Sequence, residues 1–140
     1  MPSAVRAPDP LVIARRIRLL GERLVLLDVD LADLFGVAVE RLVDLILQSR
    51  PKIPVEFAFV LEPNEIQDLI PRVAASHRRA DRKRLLAITE HGVIVVASRL
   101  KTVRATEISI AIVRVFVKLR EDDGLLALLA PGLPSHRELH

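Results

Sequence analysis

The chain has no cysteine, tryptophan or tyrosine, and only one methionine and four phenylalanines among its 140 residues. The absence of cysteine excludes disulfides, thiolate metal sites and cysteine nucleophiles, and such usage fits a reducing cytoplasm. With so few aromatics, a composition that is 51% hydrophobic must fill its interior with Leu, Ile, Val and Ala. No run reaches the roughly 18 apolar residues of a membrane span. The opening MPSAVRAPDP carries no apolar stretch behind a basic head, so neither a signal peptide nor a membrane partner is expected. Excess charge of one sign is also modest. The 21 Lys and Arg against 18 acids leave a net +3 and a pI near 9.9, so any nucleic-acid surface must rest on where the cations lie. Chemistry-bearing motifs are scarce too. Of His77, His91, His136 and His140, only the last two share a helical spacing, and they lie in the C-terminal tail. There is no HExxH, glycine-rich phosphate loop or nucleophile elbow. Glu90 and His91 are the one acid–base pair to consider, and neighbours on a helix point apart. The expectation is a non-enzyme that needs no metal and no cofactor.

What is present centres on Asp28 to Leu47, DVDLADLFGVAVERLVDLIL. Leu31, Leu34 and Phe35 have the i, i+3, i+4 spacing of a buried helical face, and Asp28 or Asp30 can cap its start. Gly36 sits where a helix end needs positive φ. A second apolar set, Val39, Leu42, Val43 and Ile46, follows. The small Ala32, then Gly36, then Leu42 fit a helix-turn-helix, and an ordinary helical hairpin in a core satisfies the same spacing.

Around this pair the chain reads as one domain over residues 11–123, between a Pro- and Ala-rich N-terminus (1–10) expected to be disordered and a short helical turn with a loose tail (124–140). The fold class expected is α+β. An N-terminal β-hairpin runs from Leu11 to Leu20 and from Glu22 to Leu27, turning at Gly21-Glu22. Its arginines form either a solvated face or an arm over a phosphate backbone. After the helical pair come a proline-held loop at residues 51–54, a short β-run at FAFVL (57–61), and a helix opened by Pro63. LLAI (85–88) is a strand. Thr89 caps a helix striped by Val93, Val96, Ala97 and Leu100. The closing segment 104–120 is rich in β-branched residues, yet Ile108, Ile112, Phe116 and Leu119 favour a helix. A second stripe, Ile110, Val113 and Val117, makes that helix apolar on two sides, so it is either central or faces a partner chain.

One segment is strongly basic. Between residues 72 and 84, Arg72, Arg78, Arg79, Arg82, Lys83 and Arg84 stand against Asp81 alone, a net +5. Few large apolar residues accompany them, so the segment reads as a loop or arm. It is either a solvated surface or a phosphate-contacting strip with steep salt dependence.

Four pieces in order, RIRLLGERLVLLDVDLADLFGV, FAFVL, ITEHGVIVVAS and AIVRVFVKLRE, resemble phage-type KilA-N DNA-binding domains, and more narrowly the subfamily named for an N-terminal phage open-reading-frame domain. The resemblance spans residues 13–121. LDVDLADLFGV and TEHG are its most specific parts. It implies an α+β domain of phage or prophage ancestry that binds DNA and is not an enzyme. The second helix departs from the pattern: Val43 stands where Asn is usual, and the basic run before an RFP-type loop is replaced by an apolar stretch. Recognition helices need donors and acceptors that reach base edges. This one offers Glu40, Arg41, Asp44 and Gln48.

The expectation is therefore a cytoplasmic, nucleoid-associated protein that binds duplex DNA, as a dimer, in a transcriptional or phage regulatory role. Arg50, Lys52, Arg78, Arg79, Arg82, Lys83 and Arg84 would contact phosphate, with limited base contact from Arg41 and Gln48. The alternative is a degenerate copy that acts as an interaction module, an antirepressor or oligomerisation domain meeting a phage or host regulatory protein. Leu45 and Leu47, read as exposed, or the closing helix would make that contact.

Overall fold

The structure, a computed structural model, describes residues 8–65 and 85–122. The expected Pro63 helix is described only over its first turn, residues 63–65. The basic segment at 72–84, the turn at 125–129 and the tail lie outside the described residues.

The first described element is a helix, α1 (Pro10–Arg16), where sequence alternation suggested a strand. Asp9 Oδ1 accepts the Leu11 N–H at 2.8 Å, and Pro10 takes the first helical position. A capping carboxylate followed by proline is a strong start signal that outweighs an imperfect alternation. Ile13, Ala14 and Ile17 are the buried residues of this segment. Only then does the hairpin form, from β1 (Arg18–Leu20) and β2 (Arg23–Leu27), with Arg18 opposite Val25 and Leu20 opposite Arg23. Gly21 takes the turn at φ +62°.

β2 is a central strand. The antiparallel sheet has the order β1-β2-β4-β3, with β3 at Ala58–Val60 and β4 at Leu86–Ile88. Its two faces bury different clusters. Leu26, Ala58, Leu86 and Ile88 join the main core under the helices, while Val25, Leu27 and Ala87 meet Leu61 and Leu85 on the other side. Alternating residues of a strand point to opposite faces, so a one-residue slip would exchange these two sets.

β2 passes directly into α2 (Asp28–Phe35), whose cap is Leu27 with no side-chain hydrogen bond. Neither Asp28 nor Asp30 is the N-cap. Both lie in the first turn, where the helix dipole favours a carboxylate, and both are buried. Asp28 Oδ2 accepts the Leu86 N–H at 3.0 Å. Just past the Leu27–Ala87 pair, the β2 backbone has already turned helical, and this carboxylate serves as acceptor to β4 in its place.

The helical pair is present. α2 ends at Gly36 (φ +74°), where the Gly36 N–H donates to Asp33 O at 3.1 Å and the Val37 N–H to Ala32 O at 3.0 Å. This is a Schellman closure, which uses the left-handed glycine to satisfy the last carbonyls. α3 (Val39–Gln48) follows after a three-residue turn. α4 (Glu90–Leu100) and α5 (Val103–Glu121) form a helical hairpin joined by Lys101-Thr102, and α5 also packs against α1 and α2. The α+β class and the two packed C-terminal helices are as expected.

Candidate nucleic-acid interface

α3 is held by Val39, Leu42 and Ile46, all buried, and turns Glu40, Arg41, Asp44 and Gln48 to solvent. Arg41 and Gln48 lie seven residues apart on one face, about 10 Å along the axis. Asp44 sits between them, so the outward surface carries one cation and two acids. Arg41 can donate to guanine and Gln48 can pair with adenine, but the acids oppose phosphate. Leu45 and Leu47 are not exposed. They are half-buried and pack against the main core, as Val43 does. The apolar middle of this helix packs toward α2 and the Glu90–Leu100 helix α4.

The two cations after α3 differ. Arg50 is half-buried: Nη1 donates to Ile53 O at 2.5 Å and Nη2 to Ala58 O at 2.6 Å. It ties the loop after α3 to the start of β3, and two of its donors are engaged by the chain's own carbonyls. Lys52 is exposed on that loop. Arg78, Arg79, Arg82, Lys83 and Arg84 lie outside the described residues.

The arginines of the expected N-terminal arm are dispersed. Arg15 and Arg16 close α1 rather than decorate a strand, and Arg16 Nη1 pairs with Asp33 Oδ2 at 2.5 Å. The Arg23 guanidinium carbon lies 4.5 Å from the Phe59 ring centroid, a cation–π contact across the sheet. Arg104, which no sequence pattern singled out, sends Nε to Phe35 O at 3.3 Å from 69 positions away. A cation there satisfies a carbonyl at the negative end of α2 and steadies the turn. Only a three-dimensional view could have found it.

The TEHG motif forms a structural joint. Thr89 Oγ1 accepts the Gly92 N–H at 3.2 Å and donates to Phe57 O at 3.2 Å, while the Thr89 N–H donates to the same carbonyl at 2.9 Å. Glu90 is ion-paired with Arg120. The exposed His91 ring stacks on Phe57 at 5.4 Å. A Cβ on Gly92 would stand 2.3 Å from Phe57 O, so only glycine allows α4 to come this close to β3. All four residues therefore fix α4 to the sheet or to α5. The cleft of about 390 Å³ beside them is floored by Leu19 and Phe116, with Arg23, Glu90 and His91 at its rim. Among the described residues there is no group of three His, Cys, Asp or Glu that could hold a metal, and no helix long and apolar enough to cross a membrane.

Compared with known protein families, the chain matches the ORF6N domain over residues 15–99, more than half its length. The matched stretch runs from the end of α1 to the end of α4 and stops short of α5. No curated protein and no solved structure matches it. By the extent of that match, the chain belongs to the ORF6N domain family.

Proposed function

We propose that the protein is a small DNA-binding domain of phage-type ancestry, related to the KilA-N domains, with a transcriptional or phage regulatory role on the nucleoid in the cytoplasm. The observation that carries this reading is the α2–Gly36–α3 pair, inside the family match, with Arg41 and Gln48 outward on its second helix. Arg41 and Gln48 make limited base contacts. Lys52 and the cluster Arg78, Arg79, Arg82, Lys83 and Arg84 contact phosphate, and Arg50 holds the loop that carries Lys52. The role requires no catalysis. Because the recognition face carries Glu40 and Asp44, most of the affinity is electrostatic, with a dissociation constant on the order of 10⁻⁴–10⁻⁶ M at physiological salt.

Titration of a labelled duplex at several salt concentrations tests this. Replacing the five cations from Arg78 to Arg84 with alanine lowers the log–log salt slope by about 4.5, since each phosphate contact contributes about 0.9. Absence of binding at low salt rejects the reading, and an unchanged slope moves the phosphate contacts elsewhere. The second reading, an antirepressor or oligomerisation module that meets a phage or host regulator, is favoured by one observation: the exposed apolar residues on α5.

A further inference from the structure

α5 buries Ile108, Ile112, Val115, Phe116 and Leu119 on one side. On its opposite side it keeps a second set. Val103 is 71% exposed and Ile110 47%, while Val113 and Val117 are half-buried. Val103, Ile110 and Val117 recur every seven residues, with Thr106 and Val113 between them. That is the alternating three–four spacing of a helix seam that packs on another helix. β-branched residues dominate it. Ile94 of α4, 46% exposed, widens it across a groove of about 440 Å³ between the two helices.

The hydroxyl residues along this groove do not need water. Ser109 Oγ donates to Thr106 O at 2.7 Å, Thr106 Oγ1 to Thr102 O at 3.2 Å, and Ser98 Oγ to Val95 O at 2.7 Å. Each hydroxyl hydrogen is taken up by its own helix, so covering these residues leaves no donor stranded.

We infer that this face is the interface with a second copy of the chain, with the two α5 helices antiparallel about a two-fold axis. Charge selects that occupant. Glu107, Arg114 and Lys118 flank the seam, all are exposed, and none has an ion partner among the described residues. With Ile110 set beside Val113 of a second, antiparallel copy, Glu107 falls between Arg114 and Lys118 of that copy. The two-fold repeats the contact, giving two such clusters. A parallel pairing sets like charges at the same height and forms neither cluster. The surface is therefore self-complementary, as a two-fold contact must be.

The inference stands apart from the DNA reading, because α5 lies outside the matched stretch and none of the proposed DNA contacts is on it. Sedimentation of the full chain at micromolar concentration tests it, and the expected species has twice the 15.6 kDa of one chain. Ile110→Glu abolishes that species, with the circular dichroism melt showing the fold kept. Glu107→Lys alone, and Arg114→Glu with Lys118→Glu alone, each weaken self-association roughly tenfold or more. An equimolar mixture of these two charge variants regains wild-type association, because each then meets opposite charge. A monomeric wild type, an Ile110→Glu variant that still pairs, or a mixture no tighter than its components overturns the inference. DNA affinity of a monomeric variant reports separately on the proposed function.

Discussion

The outward faces of α3 and α5 differ: the first is polar and the second partly apolar. α3 reads VERLVDLILQ and looks too apolar for a surface helix, yet its exposed residues are all polar: Glu40, Arg41, Asp44 and Gln48. α5 carries charges along its length, yet it leaves Val103 and Ile110 in water. The difference lies in how many neighbours each helix has. α3 sits between α2 and α4, so its apolar residues find partners, Leu45 and Leu47 among them. α5 rests on α4 on one flank and on α1 and α2 on the other, and its fourth side has nothing over it among the described residues. An apolar residue on a crowded helix is core, and the same residue on a helix covered from three sides is a candidate contact.

The largest effect that would break this comparison strikes the support of the α5 face. Gly92→Ala places a methyl group 2.3 Å from Phe57 O and 2.7 Å from Ile88 Cγ2. Backbone cannot yield as a flexible side chain can, so the expected loss is about 3 kcal/mol, the upper part of the overpacking range. Urea denaturation checks it. A loss below about 0.5 kcal/mol, the level of an ordinary surface change, would mean that α4 is not seated against β3 as described.

The next experiment contrasts the two helices directly. Leu45→Lys puts an ammonium where a half-buried side chain packs on the core and is expected to cost about 1–2 kcal/mol of unfolding free energy. Ile110→Lys, on the open side of α5, should leave the stability of the monomer within about 0.5 kcal/mol. Equal costs for the two would remove the distinction between a crowded and an open helix.

How much of this was legible depends on the range of the physics involved. Gly36 as a helix stop, Gly21 in the hairpin turn, Thr89 as a cap and the helical α5 are local events, decided within a few residues, and the sequence displays them. α1 was missed because Asp9 and Pro10 were counted with the N-terminal segment 1–10, although together they form a local start signal. The roles of Asp28, Arg50 and Arg104 were out of reach. Each depends on a backbone group brought near by the fold, Leu86 N–H for the first and Phe35 O for the last. The same reason explains the error over Leu45 and Leu47: periodicity places a residue on a helix face, but tertiary packing decides how many faces are covered. The cations from Arg78 to Arg84 were singled out by composition alone and lie outside the described residues.

A smaller effect sharpens the α3 side. Asp44 lies between Arg41 and Gln48 on the exposed face, so under the proposed function it repels the duplex at the centre of the contact. Asp44→Lys should change unfolding free energy by no more than about 0.5 kcal/mol. It should also tighten duplex binding at low salt and steepen the log–log salt slope by about 0.9, one added phosphate contact. A fluorescence titration at several salt concentrations reads both. An unchanged slope would mean that α3 does not approach the backbone, even if the chain binds DNA elsewhere.

The smallest change concerns the corner that sets α5 against α4. Lys101 adopts the left-handed conformation at φ +58°, the one non-glycine residue with positive φ among those described. Holding a side chain there costs about 1 kcal/mol, which glycine avoids, while the freedom glycine adds to the unfolded chain offsets part of that. Lys101→Gly should therefore stabilise the protein by about 0.5 kcal/mol, visible as a small rise in urea midpoint without a change in slope. Because the corner keeps its geometry, self-association through α5 should be unaltered. A stabilised protein with altered self-association would show that the angle between the two helices, and with it the groove at Ile94 and Ile110, depends on the side chain at the corner rather than on the packing beneath it.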